Sequence, residues 1–301
     1  MAIPDFQSFM LPLLKFTADK KEHSITETVD TLANEFNISE EEKRALLPSG
    51  TQEIVRNRIS WAVTYFKKAG LLESQKRAYF NITSRGIEIL KQNPERINIK
   101  FLNQYEEFKK FHESKKETST GTVTIDDTNK TPEEIFENAY EGLRAELAAE
   151  IQVQLMKCPP SYFEKIVIEI LVKMGYGGSL KDAGKAVGKT GDEGIDGIIK
   201  EDRLGLDIIY VQAKRWTSTV SRPEIQKFAG ALQGQRAKKG IFITTSDFSK
   251  EAREYVSKIE SKIILIDGEQ LAEYMIDFNV GTTTSQIYEI KKIDLDYFIE
   301  E

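Results

Sequence analysis

Gly191-Asp192-Glu193-Gly194-Ile195-Asp196-Gly197-Ile198-Ile199, followed by Asp207-Ile208-Ile209-Tyr210-Val211-Gln212-Ala213-Lys214-Arg215-Trp216, is the stretch that decides the fold. Both runs have strand composition, and residues 203–206 can form or flank a turn between them, so the pair predicts a β-hairpin. Side chains alternate faces along a strand, so Gln212 and Lys214 point the same way. Asp196 lies near the start of the partner strand. The hairpin therefore brings Asp196, Gln212 and Lys214 together without help from the rest of the chain.

That set matches what phosphodiester hydrolysis needs. A divalent metal such as Mg²⁺ takes hard oxygen ligands, here the Asp196 carboxylate and the backbone carbonyl of Ala213. The metal stabilises developing charge and acidifies a water. A lysine beside that water, Lys214, helps to orient and deprotonate it and offsets charge on the phosphate. A fourth group comes from the preceding helical stretch, Ser161 to Tyr176. Its core stripe is Phe163, Ile166, Val167, Ile170, Leu171 and Met174, while Lys165, Glu169 and Lys173 form a solvated ion-pair row. Glu164 borders the apolar stripe. Spacing alone leaves it equally a rim glutamate or a carboxylate facing a metal-bound water or a lysine.

Beyond the hairpin, helices and strands alternate. A helix runs from Arg222 to about Arg236, a strand from Gly240 to Thr245, a helix from Ser249 to Ile259, a strand over Ile263–Ile266, and a helix from Asp267 to Ile276. This order predicts an α/β domain on a mixed sheet. Thr244, Thr245 and Ser246 end a strand; they read as a helix-start loop, or as hydroxyl donors to the site. Gln286 to Glu301 alternates apolar residues before an acidic end, as an extra strand or a dimer contact.

Upstream, Thr131-Pro132-Glu133-Glu134 carries a helix-start signature, with Thr131 as cap, Pro132 at the first position and Glu134 completing a capping box. The segment to about Lys157 predicts one long helix. The second half of the polar run 104–130 before it is too poor in large apolar groups to fold alone and reads as a linker. The N-terminal region predicts helices over Pro4–Thr17, Thr28–Phe36, a short one from Ser39, and Glu53–Ala69, with Gly70 as its C-terminal cap. Strands follow at Leu71–Ser74 and Ala78–Ile82, joined by the basic turn Gln75-Lys76-Arg77, and Thr83 opens a last helix. Helices and a basic-tipped hairpin describe a winged helix. The expected boundaries are 1–100 for a winged-helix DNA-binding domain, 101–131 for the linker, 132–280 for the catalytic domain and 281–301 for a C-terminal extension.

The net charge of −6 argues mildly against a nucleic-acid partner, but its distribution does not. From Arg56 to Lys100 there are ten basic and three acidic residues, a local charge of +7. In a winged helix, Arg56, Arg58 and Lys67 lie on or near the recognition helix, and Lys76 and Arg77 at the wing, placed to meet DNA phosphates or base edges.

The ordered set Phe163-Glu164, Gly194-Ile195-Asp196-Gly197, Gln212-Ala213-Lys214 resembles the Mrr family of restriction endonucleases, within the PD-(D/E)xK nuclease superfamily. The similarity extends over about residues 155–278 and to Arg56-Asn57-Arg58-Ile59-Ser60-Trp61-Ala62. The resemblance implies a restriction-endonuclease-like C-terminal domain joined to an N-terminal winged helix, acting as a metal-dependent DNA endonuclease. It implies Asp196 as the metal-binding aspartate, Gln212 at the position where other branches carry an acid, Lys214 as the catalytic lysine and Glu164 as the helix glutamate. It also implies double-stranded, modified (methylated) foreign DNA as the substrate. Two-strand cleavage requires two active sites, so a homo-oligomer is expected. The rival is a non-catalytic DNA-binding regulator on a vestigial nuclease scaffold.

Other classes find little support. His23 and His112 lie far from any serine elbow, which argues against a Ser-His-Asp hydrolase. Cys158 is the only cysteine, so no intrachain disulfide forms, and it reads as structural. Zinc-ligand spacing and the phosphate-cradling Gly-x-x-x-x-Gly-Lys loop are absent. No apolar run approaches the roughly 20 residues of a membrane span, and no secretory signal opens the chain. A cytoplasmic protein is expected.

Overall fold

The computed structural model describes residues 3–74, 76, 78–113, 129–177, 195–201, 207–291 and 293. The chain forms two compact units, residues 1–141 with 290–301, and residues 142–289.

In the first unit, α1 (Met10–Phe16) precedes β1 (His23–Ser24), α2 (Ile25–Glu35), α3 (Glu40–Lys43) and α4 (Ile54–Lys68). Strands β2 (Leu72–Glu73) and β3 (Tyr79–Ile82) and helix α5 (Ser84–Lys91) follow. Local chemistry sets these limits. Ser24 and Thr83 cap α2 and α5 through their hydroxyls, and Ser39 with Glu42 closes a reciprocal capping box on α3. Gly70, at φ +70°, takes the left-handed turn that ends α4 and starts β2. Strand β3 pairs antiparallel with both β1 and β2, giving the order β1-β3-β2. A helix, a short strand, further helices and a hairpin on that strand make a winged helix. The apolar side of α4 (Val55, Ile59, Ala62, Val63, Phe66) packs into a core with Phe6, Phe9, Leu13 and Leu32.

This unit continues past residue 100, where a linker was expected. Helices α6 (Ile99–Leu102) and α7 (Glu106–Glu113) follow, and Phe108 is fully buried against Tyr65 in the same core. The aromatic residues of this charged segment supply the apolar area that holds it down. The poorest part of the run, residues 114–128, lies outside the described residues. Helix α8 (Pro132–Lys157) is one continuous helix, and its capping box is formed: Thr131 N–H donates to Glu134 at 2.7 Å and Glu134 N–H to the Thr131 hydroxyl at 3.2 Å.

The second unit carries α9 (Pro160–Lys173), β4 (Gly197–Lys200), β5 (Ile208–Lys214), α10 (Arg222–Gly234), β6 (Lys239–Thr244), α11 (Lys250–Val256), β7 (Lys262–Ile266) and α12 (Gly268–Asp277). The strand order is β4-β5-β6-β7. β4 and β5 are antiparallel, while β5, β6 and β7 are parallel, so the sheet is mixed as expected. Alternation sorts the side chains into two cores. Ile209, Val211, Ala213, Ile241 and Ile243 pack with α9, α12 and the end of α8. Tyr210, Phe242, Ile263 and Leu265 pack with α10 and α11. Helices therefore cover both faces. The hairpin turn, residues 202–206, lies outside the described residues, and residues 282–291 carry neither helix nor strand.

Candidate active site

The β4–β5 pair places the central residues. Gly197 lies opposite Val211, and the Asp196 N–H donates to the Val211 carbonyl at 2.9 Å, which extends the ladder one residue and sets Asp196 opposite Gln212. The Asp196 carboxylate turns across the strand end and accepts a 2.8 Å hydrogen bond from the Ala213 N–H. The Lys214 ammonium stands 3.9 Å from the same oxygen, with both side chains about a quarter exposed. Successive residues of a strand direct their backbone groups to opposite sides. The Lys214 carbonyl faces β6, accepting from the Thr244 hydroxyl at 2.9 Å, so the Ala213 carbonyl faces the Asp196 side.

Glu164 lies in the first turns of α9, on the opposite face of the sheet from Gln212. Burial pushes its carboxyl above the usual range, the Asp196 charge adds to the rise, and Lys214 partly offsets it. The Glu164 carboxyl thus lies within electrostatic reach of Asp196 and Lys214. Gln212 is buried at 7% exposure, and its side chain makes no hydrogen bond among the described residues. Gly191 to Gly194 lie outside the described residues.

Three hydroxyls fix the segment that follows Lys214. Thr244 donates to the Lys214 carbonyl, Thr245 to that of Trp216 at 2.8 Å, and Ser246 to that of Ser218 at 2.8 Å. Neither reading of this trio anticipated that role, because the partners are about 30 residues away. Gly268 backs the trio: a Cβ there would meet the Thr245 carbonyl oxygen at 2.3 Å. Arg215, also unmarked by the sequence, donates to the Met156 carbonyl at 2.5 Å and so ties the end of β5 to the last turn of α8. A cleft of about 700 Å³ lined by Thr217, Thr245, Ser246, Arg253 and Glu273 contains none of Glu164, Asp196, Gln212 or Lys214. Among the described residues no three His, Cys, Asp or Glu side chains cluster as a metal site; the oxygen donors beside Lys214 are the Asp196 carboxylate and the Ala213 carbonyl, with the Glu164 carboxylate within electrostatic reach.

The residues expected to face DNA divide. Arg56 is half-buried on α4, and Lys67 is exposed near its end. Lys76 is exposed at the wing and pairs with Glu22 at 3.2 Å. Arg77 lies outside the described residues. Arg58 departs from expectation. It pairs with Glu134 at 2.6 Å, with side chains 16% and 7% exposed, and donates to the carbonyls of Ile3 and Pro4. Its donors are taken up inside the unit, so it is not available to a phosphate. Beside it Thr131 donates to Asn57 at 2.6 Å, Trp61 donates to Glu133, and Ser49 donates to Glu137 at 2.7 Å.

No helix among the described residues is long and apolar enough to cross a membrane. Two family models match the chain: a restriction endonuclease catalytic domain over residues 155–275 and the Mrr N-terminal domain over residues 6–92. The Type IV methyl-directed restriction enzyme EcoKMrr of Escherichia coli (strain K12) is 36% identical over 309 residues, covering 99% of this chain and all of that protein. Among solved structures, the MspJI restriction endonuclease with a 27-mer oligonucleotide is 19% identical, over 55% of this chain and 36% of that one, with a TM-score of 0.29. The DNA modification-dependent restriction endonuclease AspBHI is 14% identical, over 70% and 56%, with a TM-score of 0.36. Those two likenesses are too low to add weight to what the family models and the near full-length relative establish. The nuclease hairpin and the winged helix are thus the two halves of one known architecture, and the chain belongs to the Mrr family of restriction endonucleases.

Proposed function

We propose that this DNA endonuclease is Mg²⁺-dependent, cuts double-stranded DNA that carries methylated bases, and does so at the Asp196–Lys214 site. The observation that carries the reading is the shared oxygen of Asp196, held by the Ala213 N–H at 2.8 Å and faced by Lys214 at 3.9 Å. The hydrogen bond orients the carboxylate, and the lysine keeps a cation beside the position a scissile phosphate would take.

The donor set fits a hard divalent cation. Asp196, the Ala213 carbonyl and Glu164 would hold it directly or through water, while Gln212, buried on the other face of the sheet, supports the strand that carries Ala213 and Lys214. Bound there, Mg²⁺ would supply charge stabilisation on the phosphate and a more acidic water. Lys214 orients the attacking water and counters phosphate charge. Glu164 adds a second carboxylate at the site, less acidic than an ordinary glutamate in the metal-free protein because of burial and the Asp196 charge. Arg56, Lys67, Lys76 and Arg77 contact DNA. A preference for methylated DNA is drawn from the name of the E. coli relative. Cutting both strands requires two copies of the site, hence a homo-oligomer.

The test incubates wild type and Asp196→Ala with methylated and unmethylated plasmid, with Mg²⁺ or with EDTA. Cleavage that needs both Mg²⁺ and Asp196, and favours methylated plasmid, is the expected result. Binding without cleavage, unchanged by Asp196→Ala, would overturn the catalytic assignment and favour a DNA-binding regulator.

A further inference from the structure

The contacts on α4 decide which of its faces can meet DNA. One side is in the core, with Val55, Ile59, Ala62 and Phe66. An adjoining flank, Asn57, Arg58 and Trp61, is bonded to Thr131, Glu134 and Glu133. The remaining side carries Arg56, Ser60 and Thr64, each half-buried, and Lys67, which is exposed; they are spaced by four, four and three residues and so aligned on one face. A cation stands at each end of this stripe and two small side chains stand between them. Short side chains let a helix approach the floor of a groove, while the flanking cations reach phosphates.

Thr64 has a further property. Its hydroxyl donates to the Ser60 carbonyl at 2.9 Å, back along the helix. The donor is thereby folded against the backbone, which leaves the γ-methyl as the group of Thr64 with no bond to make. In the major groove an apolar contact of this kind recognises the 5-methyl group of a pyrimidine.

We propose that Thr64 is a specificity residue through which α4 senses a pyrimidine 5-methyl group, with Arg56 and Lys67 anchoring the helix on the phosphates either side. The inference rests on the DNA-reading role given to this unit above. Thymine and 5-methylcytosine both carry the group, and the test separates them.

The full chain, in EDTA, is titrated with three versions of one amplified DNA fragment: ordinary, with 5-methylcytosine replacing cytosine, and with uracil replacing thymine. Thr64→Ser removes the methyl and keeps the hydroxyl, whereas Thr64→Val does the reverse. The wild type is expected to bind the methyl-bearing member more tightly in at least one pair, by about fourfold, the worth of one buried methyl. Thr64→Ser should bring that ratio to one, and Thr64→Val should keep it. Loss in the cytosine pair identifies 5-methylcytosine, and loss in the thymine–uracil pair identifies thymine. A wild type blind to cytosine methylation would remove 5-methylcytosine as the group read, while the thymine pair still tests Thr64. Equal ratios for wild type and Thr64→Ser, or no discrimination by the wild type in either pair, would overturn the proposal.

Discussion

Arg58 and Glu134 are 76 positions apart and form a 2.6 Å ion pair in which the carboxylate is almost fully enclosed. The pair belongs to the packing of the winged-helix unit and leaves the outer face of α4 to Arg56 and Lys67. Arg58→Ala strands a buried carboxylate and should destabilise the unit by about 3–5 kcal/mol. Arg56→Ala should change stability by no more than about 0.5 kcal/mol. DNA affinity should respond in the reverse order when measured on folded protein. Urea titrations and fluorescence binding read the two effects, and equal stability losses would refute the assignment.

Asp196→Asn tests charge separately from orientation. The amide oxygen still accepts from the Ala213 N–H, so the strand end stays in place. Cleavage should nevertheless fall by about 100-fold or more, a magnitude typical of losing an electrostatic catalytic contact. Binding of DNA in EDTA should be unchanged. Near-normal cleavage would show that Asp196 acts only as a structural acceptor.

Glu164 gives stability a pH signature. Its folded carboxyl titrates above the ordinary value, first through burial and then through Asp196. The folded state therefore holds this proton more tightly than the unfolded chain, whose glutamates titrate near about 4.3. The favourable contribution is complete below that value and is lost as pH rises through the folded pKa. Glu164→Gln should remove this decline, and denaturation series at successive pH values compare the two proteins. Parallel curves would contradict the assignment.

Gly268→Ala places a methyl against the Thr245 carbonyl oxygen. Backbone on both sides leaves little room to yield, so a loss of about 1–3 kcal/mol is expected. Thr245 in turn holds Trp216, two residues beyond Lys214. Cleavage should drop by more than the unfolded fraction accounts for, measured as specific activity well below the melting transition. Activity that tracks only the folded fraction would show that the hydroxyl trio does not set the lysine.

What the sequence made legible follows the distance over which each signal acts. Asp196, Gln212 and Lys214 sit on two adjacent strands, so alternation and one turn were enough to join them. The mixed sheet followed from the order of strong local patterns. The two-residue strand His23–Ser24 is too short to show a period, and it exists because β3 pairs with it. Phe108 was hidden by the charged residues around it, since composition averages over a helix that only one face needs to bury. Arg58 looked like its neighbour Arg56 because nothing local announces a partner in another helix. Glu164 was ambiguous on spacing, because nothing local to its helix announces which charges the fold brings within reach of it.

Thr244, Thr245 and Ser246 donate in succession to the carbonyls of Lys214, Trp216 and Ser218. They fasten the chain that leaves β5 to the end of β6, with side chains in place of backbone donors. Such a zipper counts residues. Adding or deleting one position between Lys214 and Ser218 would move the carbonyls out of step with the hydroxyls that bond them. This stretch is therefore closed to changes of length even where its side chains are free to vary. A loop graft meant to alter how the enzyme meets its substrate has to begin beyond Ser218.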